Sequence, residues 1–309
     1  RYPDPEYRKL KAAMADYLKV APEAVLLGSG TSQLIQEAIA HIKPARALIN
    51  SPCYSEYARE LEKIGAEIFE YHLDYHKNFV PGVDEIIAQI RSEAVDLYVL
   101  TNPNNPTGSI LTRADVARIL DETDAYVLVD ETYIEFTDPA IYSAVSLIRS
   151  REKLIVIRGT SKFFATPGIR LGYAVTGDEA LHGALAENLS MWGINAMADI
   201  MGRVMFQDVA FREESFRLIQ REKGKVIAAL EADEALKVFP SYGNFVLVKI
   251  KDGVHTAAEL REALLAKKMV IRDCANFKNL DERFFRFCLL DPESNEALVK
   301  AVDDFFKTS

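Results

Sequence analysis

Between about residues 24 and 176, short apolar runs alternate with stretches of helical spacing, and nothing else in the chain constrains its fold as much. The runs fall at residues 25–27, 45–50, 67–71, 95–100, 125–129 and 154–157. Apolar spacing of about 3.6 marks the segments 6–17, 33–41, 55–63 and 112–121 as helices. Strands that alternate with helices predict a mainly parallel, doubly wound α/β sheet covered on both faces. A parallel sheet of this kind places ligand contacts past the carboxyl ends of its strands. The residues just past the apolar runs are therefore the first candidates for a site.

Three of those positions carry chemistry. The run at 95–100 ends in Thr101-Asn102-Pro103-Asn104-Asn105-Pro106-Thr107-Gly108, where prolines and amides make a rigid polar loop. The run at 125–129 ends in Asp130-Glu131-Thr132-Tyr133. The run at 154–157 leads to Ser161-Lys162, and eight residues on, Arg170 precedes the apolar Leu171-Gly172-Tyr173. A lysine at a strand end facing a cleft is poorly solvated. That favours its neutral amine, the form that makes a Schiff base. An arginine fork nearby suits a phosphate. Each feature also has a plain reading: a turn at 101–108, a lone aspartate, and a surface lysine beside a structural arginine.

A fourth feature lies upstream. Gly28-Ser29-Gly30-Thr31-Ser32 precedes a helix, and the free N–H groups of a helix start suit a phosphate. An ordinary capped helix start would look the same. Tyr54, in Ser51-Pro52-Cys53-Tyr54 after the run at 45–50, reads either as a ring-stacking aromatic or as core. Asn105, Asp130 and Lys162 should converge on one edge of the sheet.

At 309 residues the chain can hold one large domain or two unequal ones, and 49% apolar content supplies a core. The net charge of -9 gives no basic footprint for nucleic acid. No apolar run approaches the ~20 residues of a membrane span. Three cysteines, Cys53, Cys274 and Cys288, match no metal spacing and read as reduced thiols of a cytoplasmic protein. His41, His72 and His76 likewise lack ligand spacing, and no metal is expected. The first residue is Arg1, so the chain reads as cut from a longer polypeptide. After Tyr173 the pattern becomes mostly helical, with a long helix at 211–230 whose basic residues read as solvated. Strands are expected at 237–240, 245–250, 270–272 and 284–289, and helices at 257–267 and 295–306. Residues 20–205 are expected to form the large domain, with 1–19 and 206–309 forming a smaller α+β domain.

With these motifs in place, the chain resembles the fold-type I pyridoxal-phosphate enzymes of the class I and II aminotransferase group, over essentially all of its length. Within that group it looks most like the branch of histidinol-phosphate aminotransferases and threonine-phosphate decarboxylases. Tyr2-Pro3-Asp4-Pro5, Ser161-Lys162-Phe163-Phe164-Ala165, Pro167-Gly168-Ile169-Arg170-Leu171-Gly172-Tyr173 and Ile271-Arg272-Asp273-Cys274-Ala275-Asn276-Phe277 look closer to the decarboxylases. The resemblance implies pyridoxal 5'-phosphate as cofactor. It also implies a large domain with a seven-stranded, mainly parallel sheet and a smaller C-terminal α+β domain.

The resemblance implies roles as well. Lys162 would bind the cofactor covalently and carry the Cα proton. Asp130 would pair with the pyridinium nitrogen, and Asn105 and Tyr133 would bond the ring hydroxyl. Tyr54 would stack on the ring. Gly30, Thr31, Ser32, Ser161 and Arg170 would hold the phosphate, joined by Tyr2 of a neighbouring subunit in a homodimer with shared sites. Arg286 would bind the substrate carboxylate and Arg272 a substrate phosphate. For both, a salt bridge within the small domain is the plain alternative. Relatives often carry an acidic residue near the end of the glycine loop, where this chain has Gln33. They also carry a segment ahead of the Tyr-Pro motif that closes over the substrate, and this sequence lacks it. The function implied is decarboxylation of a small phosphorylated or phosphonylated amino acid, or transamination of a similar amine or amino acid. A cofactor-less scaffold domain is the reading from a different class, and it gives no reason for Lys162, Asp130 and Arg170 to occur together.

Overall fold

The computed structural model describes residues 4–189 and 191–308. Tyr2 lies outside them. A seven-stranded sheet is built from β1 (Leu26–Gly28), β2 (Arg46–Ser51), β3 (Glu67–His72), β4 (Leu97–Thr101), β5 (Tyr126–Asp130), β6 (Leu154–Gly159) and β7 (Gly172–Thr176). Their order is β1-β7-β6-β5-β4-β2-β3. Pairing is parallel from β3 across to β6. β7 runs antiparallel to both β6 and β1.

Alternation along the strands explains why the sheet is buried on both faces. Tyr98, Leu100, Val127, Val129, Leu154 and Val156 enter one core cluster. Leu97, Val99, Leu128, Ile155 and Ile157 enter the other. Strands covered on both sides must be apolar at successive positions, hence the continuous runs in the sequence.

The helices in this half are α1 (Arg8–Leu18), α2 (Thr31–Ile42), α3 (Glu56–Lys63), α4 (Val83–Ser92), α5 (Arg113–Glu122), α6 (Pro139–Tyr142), α7 (Glu179–Asn188) and α8 (Ala196–Met205). α2, α3 and α7 supply the second cluster through residues such as Leu34, Tyr57 and Leu185. α5 starts on a capping box in which Thr112 and Asp115 each accept from the other's backbone N–H. α1 packs against α8, and Tyr7 Oη donates to the Ile194 carbonyl at 2.8 Å.

Beyond α8 come α9 (Val209–Glu231), β8 (Leu236–Val238), β9 (Phe245–Ile250), α10 (Ala257–Ala266), β10 (Arg272–Asp273), β11 (Phe284–Cys288) and α11 (Pro292–Thr308). The four strands form an antiparallel sheet in the order β10-β11-β9-β8. Val226, Val248, Leu260, Phe285 and Val302 pack between it and the helices. The apolar faces of the two halves meet. Phe239 and Phe284 stack with centroids 6.0 Å apart, and Phe79 from the large half lies 4.9 Å from Phe239.

Two expectations change in detail. The strand expected from residue 270 begins at Arg272, and Val270 is exposed. Lys223 on α9 is not solvated: it is buried, and its Nζ donates to the Gly243 carbonyl at 3.0 Å. Burial pushes this amine down to about 8.

Candidate active site

The C-terminal ends of β4, β5 and β6 and the start of α2 surround a cavity of about 220 Å3. Its lining brings together Gly30, Thr31, Ser32, Tyr54, Asn105, Asp130, Tyr133, Ser161, Lys162 and Arg170. These come from five separate stretches of sequence, and parallel strands deliver them to one sheet edge.

Asp130 closes β5 and is buried. Its Oδ1 accepts from the Thr132 amide at 2.9 Å and from Thr132 Oγ1 at 2.5 Å, and its Oδ2 accepts from Tyr57 Oη at 2.7 Å. Burial raises the carboxyl above its ordinary value, and the bonds from Thr132 and Tyr57, with the charge of Lys162, pull against that rise. A cationic ring nitrogen in the cavity would oppose burial further. Thr101 Oγ1 donates to Tyr57 Oη at 3.0 Å, which fixes the phenol in place.

Lys162 follows β6, and its Nζ lies 5.8 Å from the centroid of the buried Tyr133 ring. The side chain is exposed to the cleft. Burial in the protein alone therefore does not supply the desolvation expected from its place at a strand end. Burial pushes the Tyr133 phenol up to about 12, with the Arg286 charge opposing. Tyr133 also meets Phe245 of the small sheet edge-on, with centroids 5.1 Å apart.

A cradle of small residues and donors lies at the other end. Gly30 caps α2 at φ +81°, a conformation that side chains rarely adopt, and no side chain caps that helix start. A Cβ on Gly30 would come within 2.3 Å of Arg170 Nη2. A Cβ on Gly172 would sit 2.4 Å from the Gly30 carbonyl carbon. These close approaches pack Arg170 against the helix start, where free N–H groups and a dipole end favour an anion. Arg170 is itself left-handed at φ 56°, and its Nη1 donates to the Pro167 carbonyl at 3.2 Å. Thr31, Ser32 and Ser161 add hydroxyls.

This donor set fits pyridoxal phosphate. A glycine-lined anion cradle stands at one end, a hydrogen-bonded buried carboxylate at the other, and an amine with aromatic rings between them. Tyr54 is partly exposed, and its ring stands edge-on to Tyr57 at 5.6 Å.

Arg286 on β11 reaches toward this cavity from the small sheet. Its Nη1 donates to the Asn105 side-chain oxygen, and its guanidinium carbon lies 4.8 Å from the Phe245 ring centroid. Its Nε is buried without a partner among the described residues. Arg272 is paired with Arg286 in the β10–β11 register. Neither Arg272 nor Arg286 is among the residues lining the first cavity. Both arginines line a second cavity of about 720 Å3.

The sequence reading passed over Tyr57, Thr101 and Thr132, which hold Asp130 or line the cavity. Thr132 could have been found, since a hydroxyl two residues after a strand-end aspartate can bond it locally. Tyr57 gave no such signal, because its partner lies 73 positions away.

The profile of the family "Aminotransferase class I and II" matches residues 1–302. The chain is 30% identical to the threonine-phosphate decarboxylase of Salmonella typhimurium over 98% of its length and 82% of that protein's. It is 30% identical to the histidinol-phosphate aminotransferase of Clostridium kluyveri over 99% of its length and 85% of that protein's. The crystal structure of the histidinol-phosphate aminotransferase from Clostridium acetobutylicum superposes with a TM-score of 0.92 at 32% identity, over 100% of this chain and 91% of that one.

Proposed function

The chain belongs to the class I and II aminotransferases, whose cofactor is pyridoxal 5'-phosphate, and on that premise we propose that it decarboxylates a small phosphorylated amino acid. The bound cofactor supplies an electron sink for negative charge that develops at the substrate Cα. The protein's own groups do the rest. Asp130, held by Tyr57 and Thr132, keeps a proton on the ring nitrogen. Asn105 and Tyr133 bond the ring hydroxyl, and Tyr54 covers the ring face. The first-turn amides of α2, with Ser161 and Arg170, hold the phosphate. Lys162 would hold the cofactor through its Nζ and would exchange a proton at Cα.

The observation that carries the substrate class is the pairing of Arg272 with Arg286. Neighbouring strand positions present two guanidinium groups, one of them bonded to Asn105 at the first cavity. Two forks suit a substrate with two anionic groups, a carboxylate at Arg286 and a phosphate at Arg272. Transamination is the second reading. The same residues serve it, and a relative named as a histidinol-phosphate aminotransferase, at 30% identity, supports it. The two reactions differ in which bond at Cα breaks, the bond to the carboxylate in one and the bond to hydrogen in the other. Incubating the holoprotein with O-phospho-L-threonine, and separately with amino donors plus 2-oxoglutarate, separates the two. Carbon dioxide from the first supports decarboxylation, and glutamate from the second supports transamination. If neither product forms, the phosphorylated-substrate reading falls.

A homodimer is part of the proposal. Met197, Ile200 and Val204 share one face of α8 and are exposed, as are Met191 and Trp192 just before it. Exposed apolar side chains gathered on one helix face are characteristic of an interface.

A further inference from the structure

The second cavity carries a third guanidinium that no motif brought forward. Arg261 sits in the middle of α10, which packs beside β10, and it lines the same cavity as Arg272 and Arg286. Among the described residues its guanidinium makes no hydrogen bond and no ion pair, although many other arginines of the chain are tied to a carboxylate or a carbonyl. The one carboxylate in the lining is Asp273, and its Oδ1 already accepts from the Ala275 amide at 2.9 Å. Three arginines and one carboxylate thus line this cavity, in a chain whose net charge is -9. A cluster of like charges with so little neutralisation costs free energy in the empty protein and is relieved by an anion.

The three arginines are not equivalent. Arg286 bonds Asn105 at the first cavity. Arg272 spends one N–H on the Asn276 side-chain oxygen, at 3.0 Å, and its guanidinium carbon lies 5.8 Å from the Phe277 ring centroid. Arg261 is exposed and uncommitted. We infer that Arg261 is a specificity-determining residue that, with Arg272, binds the outer oxygens of the substrate's distal phosphate, so that the site selects a dianionic tail over a singly charged or neutral one. A single fork fully serves a carboxylate. A tetrahedral phosphate leaves oxygens beyond the reach of one fork, and a second guanidinium on a separate element can take them. This inference rests on the proposed phosphorylated substrate and extends it by a named contact.

The test uses the holoprotein and isothermal titration with inorganic phosphate, O-phospho-L-threonine and L-threonine. Variants are Arg261→Gln, Arg261→Lys and Arg272→Gln. Glutamine and lysine are both good helix formers, so α10 should persist. In Arg261→Gln the affinity ratio of O-phospho-L-threonine to L-threonine falls about tenfold, and phosphate binding weakens by a similar factor. Arg261→Lys regains part of the loss, since it restores charge without the fork. Raising the salt concentration narrows the gap between the parent and Arg261→Gln. If Arg272→Gln loses the preference and Arg261→Gln keeps it, Arg261 has no such role, while the phosphorylated-substrate reading stands. If the parent itself does not prefer the phosphorylated compound, both fall.

Discussion

Tyr57 Oη donates to Asp130 Oδ2 at 2.7 Å, and both side chains are buried. The bond pulls against the upward shift that burial imposes on this carboxyl. Phenylalanine keeps the ring's shape and removes the donor. Tyr57→Phe should therefore fold normally, push the Asp130 pKa higher and weaken its hold on the cofactor's ring proton. A charge-assisted bond of this kind contributes about 1.5–3 kcal/mol, so kcat should drop roughly 10- to 100-fold. Steady-state kinetics alongside the pH titration of the cofactor's absorbance would check it. An unchanged titration would show that Tyr57 does not tune Asp130.

Gly30 sets the anion cradle. Alanine there meets both a left-handed backbone and a guanidinium nitrogen 2.3 Å from its Cβ. The strain is of order 1–3 kcal/mol, and Arg170 must move away from the helix start. Gly30→Ala should weaken pyridoxal-phosphate binding at least tenfold while leaving most of the sheet intact. Titration of the cofactor-free protein, with circular dichroism as a control, measures both. Parent-like affinity in the variant would place the phosphate elsewhere.

Glu135 gives a pH dependence. It is buried near Arg158, with Oε1 3.6 Å from Arg158 Nη1 and accepting from Tyr173 at 3.3 Å and Tyr17 at 3.4 Å. Its Oε2 has no partner among the described residues. Burial raises this carboxyl from 4.5 to about 7, and the Arg158 charge offsets only part of that rise. The folded state therefore keeps a proton that the unfolded chain releases across that window. Stability falls as pH rises from about 4.5 to about 7, by at most about 1.4 kcal/mol per pH unit for one proton. Glu135→Gln cannot titrate. Its melting temperature relative to the parent should shift upward as pH rises through the window, and a shift in the opposite sense would contradict the assignment.

The fold was largely legible because a sheet buried on both faces leaves continuous apolar runs, and these ended close to where the strands end. The convergence of Asn105, Asp130 and Lys162 followed from the parallel topology alone. What escaped depends on contacts distant in sequence. Tyr57 is an ordinary tyrosine on a helix until β5 is placed beside it. Arg158 reads as one polar residue in an apolar strand, and its buried pairing with Glu131, Nη2 to Oε2 at 2.7 Å, spans two neighbouring strand ends. α4 was missed because its buried positions Ile86, Ile87 and Ile90 are β-branched and suit a strand as well as a helix. Arg261 shows no signal in sequence, since a helical arginine is most often solvated.

The apolar face of α8 tests the dimer. Ile200→Asp puts a charge in the middle of the Met197, Ile200 and Val204 face, which is exposed in the single chain. The chain should still fold, because no core contact is lost. Light scattering at micromolar concentration should give twice the chain mass for the parent and a single-chain mass for the variant. A parent that scatters as a single chain would remove the dimer from the proposal.

The two paired arginines should separate by substrate. Arg286 is half-buried, bonded to Asn105 and packed on Phe245. Losing it strands Asn105 and leaves the substrate carboxylate unpaired in a partly desolvated site. Arg286→Ala should cost about 2–4 kcal/mol in kcat/KM on phosphorylated and unphosphorylated substrates alike. Arg286→Lys should recover little, because an ammonium cannot reproduce a planar fork that reaches Asn105 and a carboxylate together. Arg272 is exposed, and its contribution is screened, so Arg272→Ala should cost only about 1–2 kcal/mol. That cost should appear on the phosphorylated substrate and vanish on its parent amino acid, because the only group Arg272 reads is then missing. Comparing kcat/KM for each variant on O-phospho-L-threonine and L-threonine gives the pattern directly. An equal loss on both substrates in Arg272→Ala would mean that this arginine supports the small sheet and does not read a phosphate. The two-anion substrate would then lose the observation on which it rests.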